Sequence, residues 1–443
     1  MHRRAAAGVA AGLACLAATL TACPSTINGH TRRSGPSGPW GDRPVTESPS
    51  DPRGDRPATG AATDTAALLA LDPRTGEPLR RTELPMTMVS GPVISGNEVL
   101  VEGNNACFGP GAKPTPSVMA AVDTATGRLT WRRPLSAVSC QGVYDPIVGG
   151  QSAVVSATPS CGVVTRTATT TGVNCPVLTV FDVNSGDPLW RSTASVLFGS
   201  GDAFVAVTQD GITDLDAASG SPRWAVRPSY GAIAGSTVNS QLSGETGSAA
   251  VGLLLTTLPH GKIATADLEQ PAANTVVTGV DLASGDSRWH SAFYHEHLHD
   301  PLTADGDVAA VLVHHDLSVL DAWSGRPLWQ HTYPGETGVT GAAGVIYVNQ
   351  VVRRRNSLVA VDARTGTRRW RTNDLGDCVF AAPDNGVVIV KDDTILSSPR
   401  LHAIDPDSGQ VLWTRTIHFP ALVAATDDTV FVTTSPMNSY PSS

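Results

Sequence analysis

The hydrophobic and polar positions of this chain favour short β-strands throughout most of its length. The apolar run Leu178–Phe181, for example, is followed within five residues by Asp182, Ser185 and Gly186, and Val308–Leu312 is another short apolar run. Short runs of this kind, bounded by residues that form turns, are typical of strands joined by hairpins. The pattern therefore predicts an all-β fold.

A unit of Asp, Gly and Trp recurs at a fixed spacing. The Gly follows the Asp by four residues, and the Trp follows the Gly by another four. The complete copies are Asp123-Gly127-Trp131, Asp182-Gly186-Trp190, Asp216-Gly220-Trp224, Asp281-Gly285-Trp289, Asp321-Gly325-Trp329, Asp362-Gly366-Trp370 and Asp405-Gly409-Trp413. An earlier copy has Asp72 and Gly76 but carries Arg80 where the others have Trp. Eight copies predict a repeat architecture.

Each part of the unit has a physical role. The apolar residues before the Asp predict a strand, the Asp can bind nearby backbone groups, and the Gly can adopt positive φ, so the unit predicts a hairpin. The Trp is suited to packing between neighbouring sheets. Two more strands precede most units, as at Asp307–Leu312 and Gly344–Val348. Four strands per unit predict an eight-bladed β-propeller with four-stranded antiparallel blades.

The two ends of the repeat region complement each other. Leu422–Thr434 supplies two strands after the last unit, whereas the first unit, at Asp72, has no strands before it. Pairing of the N-terminal with the C-terminal hairpin would close the ring and leave no free sheet edge.

The unit as it stands at Ala360–Gly366, followed by Trp370, resembles the tryptophan-docking repeat of the pyrroloquinoline-quinone-like (quinoprotein) propeller family. The resemblance covers nearly all of Leu68–Ser435. It implies the propeller fold and says little about function, because one fold hosts many functions. The family includes quinone-dependent dehydrogenases and a cofactor-free scaffold lipoprotein of the outer-membrane β-barrel assembly machine. The vicinal cysteines, calcium ligands and longer chain of the dehydrogenases are not evident here.

The first residues form a targeting signal. Basic residues 2–4 precede the apolar run Ala5–Leu20, which ends in the lipobox-like Leu20–Cys23. We expect a signal peptide at residues 1–22 and lipidation of Cys23, an ordinary secretory signal with a chance cysteine being the alternative. Residues 23–66 are rich in Pro, Gly and Ser and predict a disordered tether. Residues 67–435 then form the propeller and residues 436–443 a short tail.

This organisation predicts a protein anchored to the cell membrane on its extracytoplasmic face. Whether that face is a Gram-positive surface or a periplasm stays open. The chain carries a net charge of −9 and no basic stretch interleaved with aromatics, so nucleic acid is not an expected partner. Only 16% of residues are charged, while 43 Gly and 32 Pro favour many turns.

Cysteines outside the cytoplasm tend to form disulfides. The natural pairs are Cys161 with Cys175 and Cys107 with Cys140, which leaves Cys378 over. This connectivity is one of several that five cysteines allow. Cys378 is either a free thiol or a packed, inert residue.

Three insertions in the repeat mark a candidate binding surface. They fall between the second and third strands of their units, at Gly103–Ser117, Thr158–Pro176 and Pro259–Asn274. Such loops lie on the same rim of a propeller as the connections between blades, and loops on a rigid scaffold often carry recognition. The alternative is that they are solvated decorations.

A histidine cluster is the one candidate metal site. His295, His297 and His299 alternate along the chain, so their side chains would share one side of an extended segment and could bind a transition metal. Against this, the chain also has His260, His314 and His315, and no matching ligand set appears in other units.

The sequence favours a non-catalytic binding or scaffold protein, a monomer that recognises a protein, peptide or cell-wall ligand through the loop-rich rim. Cofactors are not predicted, and no catalytic motif is evident. The alternatives are a quinone- or metal-dependent oxidoreductase, which bound pyrroloquinoline quinone or metal would support, and an envelope protein assembly factor.

Overall fold

A computed structural model of the chain describes residues 65–435. Within this range it leaves out residues 106–115, 139–144, 151–152, 157–177, 209–210, 227–250, 258–274, 294–301, 306, 314, 353–354, 374, 376–380, 385–386, 393–399, 418–420 and 427. The described residues form strands and turns, which agrees with the all-β prediction.

The strands are short and follow one another closely along the chain. The first half contains β1 (Ala67–Leu71), β2 (Pro78–Glu83), β3 (Met88–Val89), β4 (Val93–Ser95), β5 (Glu98–Asn104), β6 (Pro116–Asp123), β7 (Leu129–Val138), β8 (Pro146–Gly149), β9 (Ala153–Ser156), β10 (Leu178–Asp182), β11 (Pro188–Ser192), β12 (Ser195–Ser200), β13 (Ala203–Thr208), β14 (Gly211–Asp216) and β15 (Pro222–Val226). The second half contains β16 (Val251–Thr257), β17 (Thr275–Asp281), β18 (Ser287–Phe293), β19 (Leu302–Asp305), β20 (Val308–Val313), β21 (Asp316–Asp321), β22 (Pro327–Thr332), β23 (Glu336–Ala342), β24 (Val345–Val352), β25 (Arg355–Asp362), β26 (Arg368–Asn373), β27 (Ala381–Asp384), β28 (Val387–Asp392), β29 (Arg400–Ile404), β30 (Val411–Thr416), β31 (Ala421–Ala425) and β32 (Val430–Thr434).

Within the described residues these strands form eight separate antiparallel sheets, which we number by the order of their Asp–Gly turns. Sheet I is β2-β1-β32-β31, sheet II β3 to β7, sheet III β8 to β11, sheet IV β12 to β15, sheet V β16 to β18, sheet VI β19 to β22, sheet VII β23 to β26 and sheet VIII β27 to β30. Sheet I joins the two ends of the described chain, because β1 pairs with β32 through partners such as Leu69 and Val432.

The turn of the repeat is held by its Asp side chain. In sheet VII, Asp362 Oδ1 accepts hydrogen bonds from the Thr365 amide at 3.0 Å and the Thr365 hydroxyl at 2.9 Å. The Gly366 amide donates to the Asp362 carbonyl at 2.9 Å. Gly366 has φ +70°, a conformation that residues with a side chain rarely adopt. The turn residues therefore fix the hairpin that delivers the Trp.

The Trp then links each sheet to the next. Its indole Nε1 donates to the backbone carbonyl of the residue that follows the Asp in the next sheet. These bonds are Trp131 to Val183 (2.6 Å), Trp190 to Ala217 (2.8 Å), Trp224 to Leu282 (2.8 Å), Trp289 to Ala322 (2.8 Å), Trp329 to Ala363 (2.9 Å), Trp370 to Pro406 (2.6 Å) and Trp413 to Pro73 (2.8 Å). The last one runs from sheet VIII back to sheet I.

Glycine is required beside each indole. A Cβ atom added to Gly186 would lie 2.5 Å from a ring atom of Trp131, closer than real Cβ contacts. The Gly of the unit therefore has two roles, because it permits the turn and lets the preceding Trp lie against it.

Arg80 occupies the Trp position of sheet I and makes the equivalent bond. Its Nη2 donates to the carbonyl of Thr124, the residue after Asp123, at 2.7 Å. Thr82 adds a bond from its hydroxyl to the Gly127 carbonyl at 2.6 Å. Sheet I is thus bonded to sheet II at the same backbone position as in the other junctions.

Apolar clusters fill the spaces between sheets. Between sheets VII and VIII, for example, Leu358 and Ala360 pack with Val388 and Val390, all at most 1% exposed. This burial of alternate strand residues from facing sheets is the main stabilising contribution of the fold.

Candidate functional site

The sheets have two unlike ends. Because neighbouring strands are antiparallel, the Asp–Gly turns lie at one end, which we call the turn-bearing end. The ends of the second strands and the starts of the third strands lie at the opposite end, which we call the loop-bearing end. The strand ends that flank the predicted insertions, those of β5 and β6, β9 and β10, and β16 and β17, lie at the loop-bearing end, whereas most of the inserted residues are outside the described part of the chain.

Buried polar side chains concentrate at the loop-bearing end. They lie at the ends of second strands, at the starts of third strands and in the adjoining segments. They are Ser90, Glu102, Asn104 and Ser117 of sheet II, Gln350, Asn356 and Ser357 of sheet VII, Lys391 and His402 of sheet VIII, and Thr433 and Ser435 of sheet I, each at most 6% exposed. Burial of polar groups costs free energy unless they are hydrogen-bonded, so these side chains need hydrogen-bond donors or acceptors close to them.

One network crosses from sheet I through sheet II to sheet III. The Thr433 hydroxyl donates to the Ser90 carbonyl at 2.9 Å, and the Ser90 hydroxyl accepts from the Glu102 amide at 2.9 Å. The neighbouring Gly91 amide donates to Asp145 Oδ1 at 2.6 Å. Asp145 directly precedes β8 of sheet III, so the network ties three sheets together.

Asp145 is the titratable group of this network. Burial raises the pKa of its carboxyl to about 6, although the hydrogen bond from Gly91 opposes the rise. A Cβ on Gly91 would lie 2.7 Å from Asp145 Oδ1, so a larger residue there would require the carboxyl group to move.

A second polar region lies at the loop-bearing end of sheets VII and VIII. Gln350 Nε2 donates to the Pro334 carbonyl at 3.1 Å, and His402 Nδ1 lies 2.9 Å from the Thr414 hydroxyl. The side-chain amide of Asn356 and the Oδ1 atom of Asn349 are buried without a hydrogen-bond partner. Amide groups in this position keep unused capacity to donate and accept hydrogen bonds.

The structure does not test the site residues predicted from the sequence. His295, His297 and His299 lie outside the described residues, as do Cys23, Cys107, Cys140, Cys161, Cys175 and Cys378. In the part that is described, no group of three or more His, Cys, Asp or Glu side chains is arranged to hold a metal ion. No described helix is long and apolar enough to cross a membrane.

The buried polar groups were missed in the sequence. Glu102 and Asn104 belong to the strand Glu98–Asn104, where alternation predicts polar residues that face solvent. All seven residues of that strand are buried in the structure. One feature of the sequence does point to them. Glu102 and Asn104 are polar residues at the end of a strand with an apolar middle, next to a predicted insertion.

Comparisons with known proteins agree on one relationship. The family model described as "Outer membrane protein assembly factor BamB" matches residues 39–173 and 273–438, more than half of the chain. A curated relative of the same name from Moranella endobia (strain PCIT) is 28% identical over 125 residues. That alignment covers 28% of this chain and 30% of the relative, so less than a third of the relative is matched.

Several solved structures also match the chain. BamB from Moraxella catarrhalis matches with a TM-score of 0.44 at 15% identity, over 85% of this chain and 93% of the other. The dihydro-heme d1 dehydrogenase NirN matches with a TM-score of 0.49 at 12% identity, over 82% and 75%. The quinohemoprotein alcohol dehydrogenase of Comamonas testosteroni has a TM-score of 0.43 at 12% identity, over 84% and 76%. The resemblance to quinoprotein-type propellers is confirmed, and the chain belongs to the family of the outer membrane protein assembly factor BamB.

Proposed function

We propose that this protein is a non-catalytic scaffold of the cell envelope that binds a protein partner and takes part in envelope protein assembly. The observation that carries the proposal is the family match, which extends over both the N-terminal and the C-terminal part of the repeat region. The activity named for the family is assembly, a task that requires binding of other proteins.

The scaffold we propose is one closed eight-bladed propeller. Eight sheets and a set of junction bonds that leads from sheet VIII back to sheet I support this blade count and closure. A closed arrangement leaves the fourth strands as the outer edges and gives the loop-bearing ends a common orientation.

The loop-bearing end is the surface we propose for the partner. The sequence predicts three insertions between strands that meet there, and its strand ends carry buried amides, hydroxyls and carboxylates. Groups of this kind hydrogen-bond to a peptide backbone, and the network through Ser90 and Asp145 holds several of them in place across three sheets.

We further propose that Cys23 is lipidated and becomes the mature N-terminus, after removal of residues 1–22. Residues 23–66 would then tether the propeller of residues 67–435 to the extracytoplasmic face of a membrane. The support is the charge, length and lipobox-like end of the first segment. The mass of the N-terminal peptide of protein isolated from its own membranes tests this part separately.

Site-specific photo-crosslinking in the native host tests the binding surface. A photoreactive residue at Pro116 or Arg400, both exposed at the loop-bearing end, is expected to crosslink the same partner protein. The matched controls are Thr126 and Asp407, exposed in turns at the opposite end. Crosslinking of the partner only from the turn positions would contradict the assignment of the surface. Isolation with a stoichiometric quinone or metal would instead support the oxidoreductase alternative.

A further inference from the structure

The two buried polar regions of the loop-bearing end differ in how their side chains are hydrogen-bonded. In sheets I to III, the side chains of Thr433, Ser90 and Asp145 take part in the network that crosses these sheets. In sheet VII, Asn349 Oδ1 and both side-chain amide atoms of Asn356 are buried and have no hydrogen-bond partner among the described residues. We call Asn349 and Asn356 the amide pair.

The amide pair lies on one face of sheet VII, on adjacent strands. Asn349 is the cross-strand partner of Leu358, and Asn356 lies two residues before Leu358 on β25. Cross-strand partners and alternate residues of one strand project from the same face of a sheet. Leu358 packs in an apolar cluster with Val388 and Val390 of sheet VIII, so the amide pair projects toward that sheet. Diagonal neighbours of this kind lie roughly 7–8 Å apart, close enough for one ligand to contact both.

Sheet VIII contributes His402 to the same region. His402 is the cross-strand partner of Val390 and therefore projects toward sheet VII. Its Nδ1 atom lies 2.9 Å from the Thr414 hydroxyl, which holds the ring in place. Leu358 and Val390 are at most 1% exposed, whereas Asn349 is partly exposed. The amide pair therefore lies at the boundary between the apolar cluster and the surface of the protein.

The repeat does not require a polar residue at this position. Asn349 pairs with the residue four before the turn Asp of its sheet, and the equivalent residue can be identified in six other sheets. In sheets IV, V and VI it is apolar, namely Val207, Leu255 and Leu312. In sheets VII, VIII, I and II it is polar, namely Asn349, Lys391, Thr433 and Glu102. These four sheets follow one another through the junction bonds, so the polar positions form one continuous arc.

The polar side chains of this arc differ in how their burial is compensated. Thr433 is paired within the chain, because its hydroxyl donates to the Ser90 carbonyl. The amide pair has no such partner, and a buried amide without one gives up its hydrogen bonds to water with no replacement. Groups of this kind are few in native proteins, and a functional role or a bound molecule accounts for them.

We propose that the amide pair binds peptide groups of the protein partner. The ligand must donate to two oxygens, Asn349 Oδ1 and Asn356 Oδ1, and accept from Asn356 Nδ2. A carboxylate or phosphate only accepts hydrogen bonds, and a metal ion would leave the N–H groups of Asn356 unpaired. Successive peptide groups of an extended segment both donate and accept. This inference rests on the proposed function, because it assigns the main chain of the partner to one part of the loop-bearing end.

Replacement of Asn356 by an apolar residue of similar size separates binding from stability. Asn356→Leu removes an amide that has no partner in the folded chain, so the urea midpoint of the purified protein should stay unchanged or rise. Arg400 lies two residues before His402 on β29, on the same face of sheet VIII. With a photoreactive residue at Arg400 in the native host, Asn356→Leu should reduce crosslinking of the partner roughly tenfold or more.

Gln350→Leu is the matched control for this substitution. Gln350 follows Asn349 on β24 and projects from the opposite face of sheet VII, and its Nε2 atom donates to the Pro334 carbonyl. Its replacement therefore removes a hydrogen bond within the chain without touching the amide pair. We expect a lower urea midpoint and unchanged crosslinking of the partner from Arg400.

Three results would overturn the proposal. A lower urea midpoint for Asn356→Leu would show that the amide is paired in the isolated protein, through an ordered water only. Undiminished crosslinking by that variant would show that the partner does not use the amide pair. A crosslinked fragment whose added mass is not that of a peptide would identify a ligand of another class. If the parent protein crosslinks no partner from Arg400 or Pro116, the proposed function fails as well, so the two failures can be distinguished.

Discussion

Seven junctions between sheets are made by an indole ring and one, between sheets I and II, by a guanidinium. All eight place a side-chain N–H on the carbonyl after the Asp of the next sheet. The junctions differ in what packs against the Gly of the next sheet, which is a Trp ring in seven of them and the Arg80 and Thr82 side chains in the eighth. At Gly127 an added Cβ would lie 3.1 Å from Thr82 Oγ1 and 3.3 Å from Arg80 Cδ, whereas the other unit glycines would meet a Trp ring within 2.8 Å.

The difference separates two contributions of the repeat. The hydrogen bond aligns neighbouring sheets, and an aliphatic chain with a charged end can make it as well as an indole can. The tight apolar contact requires the ring. Arg80 Nε is also buried without a hydrogen-bond partner, which costs free energy. We therefore expect the contact made by Arg80 to contribute less to stability than the contact made by a Trp in the other junctions.

The largest expected effect comes from removal of an indole. Trp131 is 6% exposed, packs against Gly186 and donates to the Val183 carbonyl. Trp131→Ala should lower the free energy of unfolding by about 3–5 kcal/mol, because a cavity replaces the ring and the carbonyl loses its donor. Urea unfolding monitored by circular dichroism measures this. A loss below about 1 kcal/mol would mean that the Trp junctions are not stronger than the Arg80 junction.

Filling the space beside an indole comes next. Gly186→Ala should cost about 2–4 kcal/mol, because its φ of +67° disfavours a side chain and the new Cβ would meet Trp131 at 2.5 Å. Gly96→Ala is the matched control, since Gly96 has φ +58° and nothing within 4 Å of an added Cβ. The control should cost about 1 kcal/mol. Equal losses of unfolding free energy at the two sites would show that the positive φ alone accounts for the cost at Gly186, with no contribution from the contact with Trp131.

The junction of sheets IV and V has a buried acid at the position opposite its Trp, where the other sheets have Ala, Val or Gly. Asp214 is 3% exposed and is the cross-strand partner of Trp224, where Ala121 faces Trp131 and Val180 faces Trp190. Burial raises the pKa of Asp214 from 3.8 to about 6, while Arg223 opposes the rise.

This pKa is higher in the folded than in the unfolded chain. The associated stability is therefore present below pH 4 and is lost as pH rises through about 6. Asp214→Asn should gain stability relative to the parent chain over this window, by no more than about 3 kcal/mol at pH 7. Urea midpoints of both proteins at pH 4, 5, 6 and 7 give the difference. A difference that does not change with pH would rule out titration of Asp214.

The smallest expected effect lies in the Arg80 junction itself. Arg80→Met keeps an aliphatic chain but removes the donor to the Thr124 carbonyl, and should cost about 1 kcal/mol. Arg81→Met is the control, because Arg81 is exposed and pairs only with Glu83 at the surface. The control should change stability by less than about 0.5 kcal/mol. If Arg80→Met is neutral while Trp131→Ala is costly, the hydrogen bond contributes little and the ring contributes most.

Much of the fold could be predicted from the sequence because the repeat combines local turn chemistry with a fixed spacing. The Asp–Gly turn is encoded within five residues, so Asp362 to Gly366 identifies a hairpin by itself. Because the unit recurs with a fixed internal spacing, the sequence also predicts the propeller family. The strands expected within Leu422–Thr434 are found at Ala421–Ala425 and Val430–Thr434.

The candidate site was harder to predict because it depends on contacts between sheets. Nothing in the local sequence shows that Asp145 receives a bond from Gly91, 54 residues earlier. The sequence shows that Arg80 departs from the repeat. That its guanidinium replaces the hydrogen bond of the indole can be seen only in the structure, where it lies beside the Thr124 carbonyl. The predicted histidine and cysteine sites lie outside the described residues and stay predictions.

Sheet I has a consequence for the order of events when the protein is made. Its strand β1 pairs with β32, more than 350 residues later in the chain. At synthesis rates of about 5–20 residues per second, β1 and β2 must wait for tens of seconds before their partners exist. During that interval the hairpin has an unpaired edge, so the first strands of this protein stay open to incorrect pairing until the last strand has emerged.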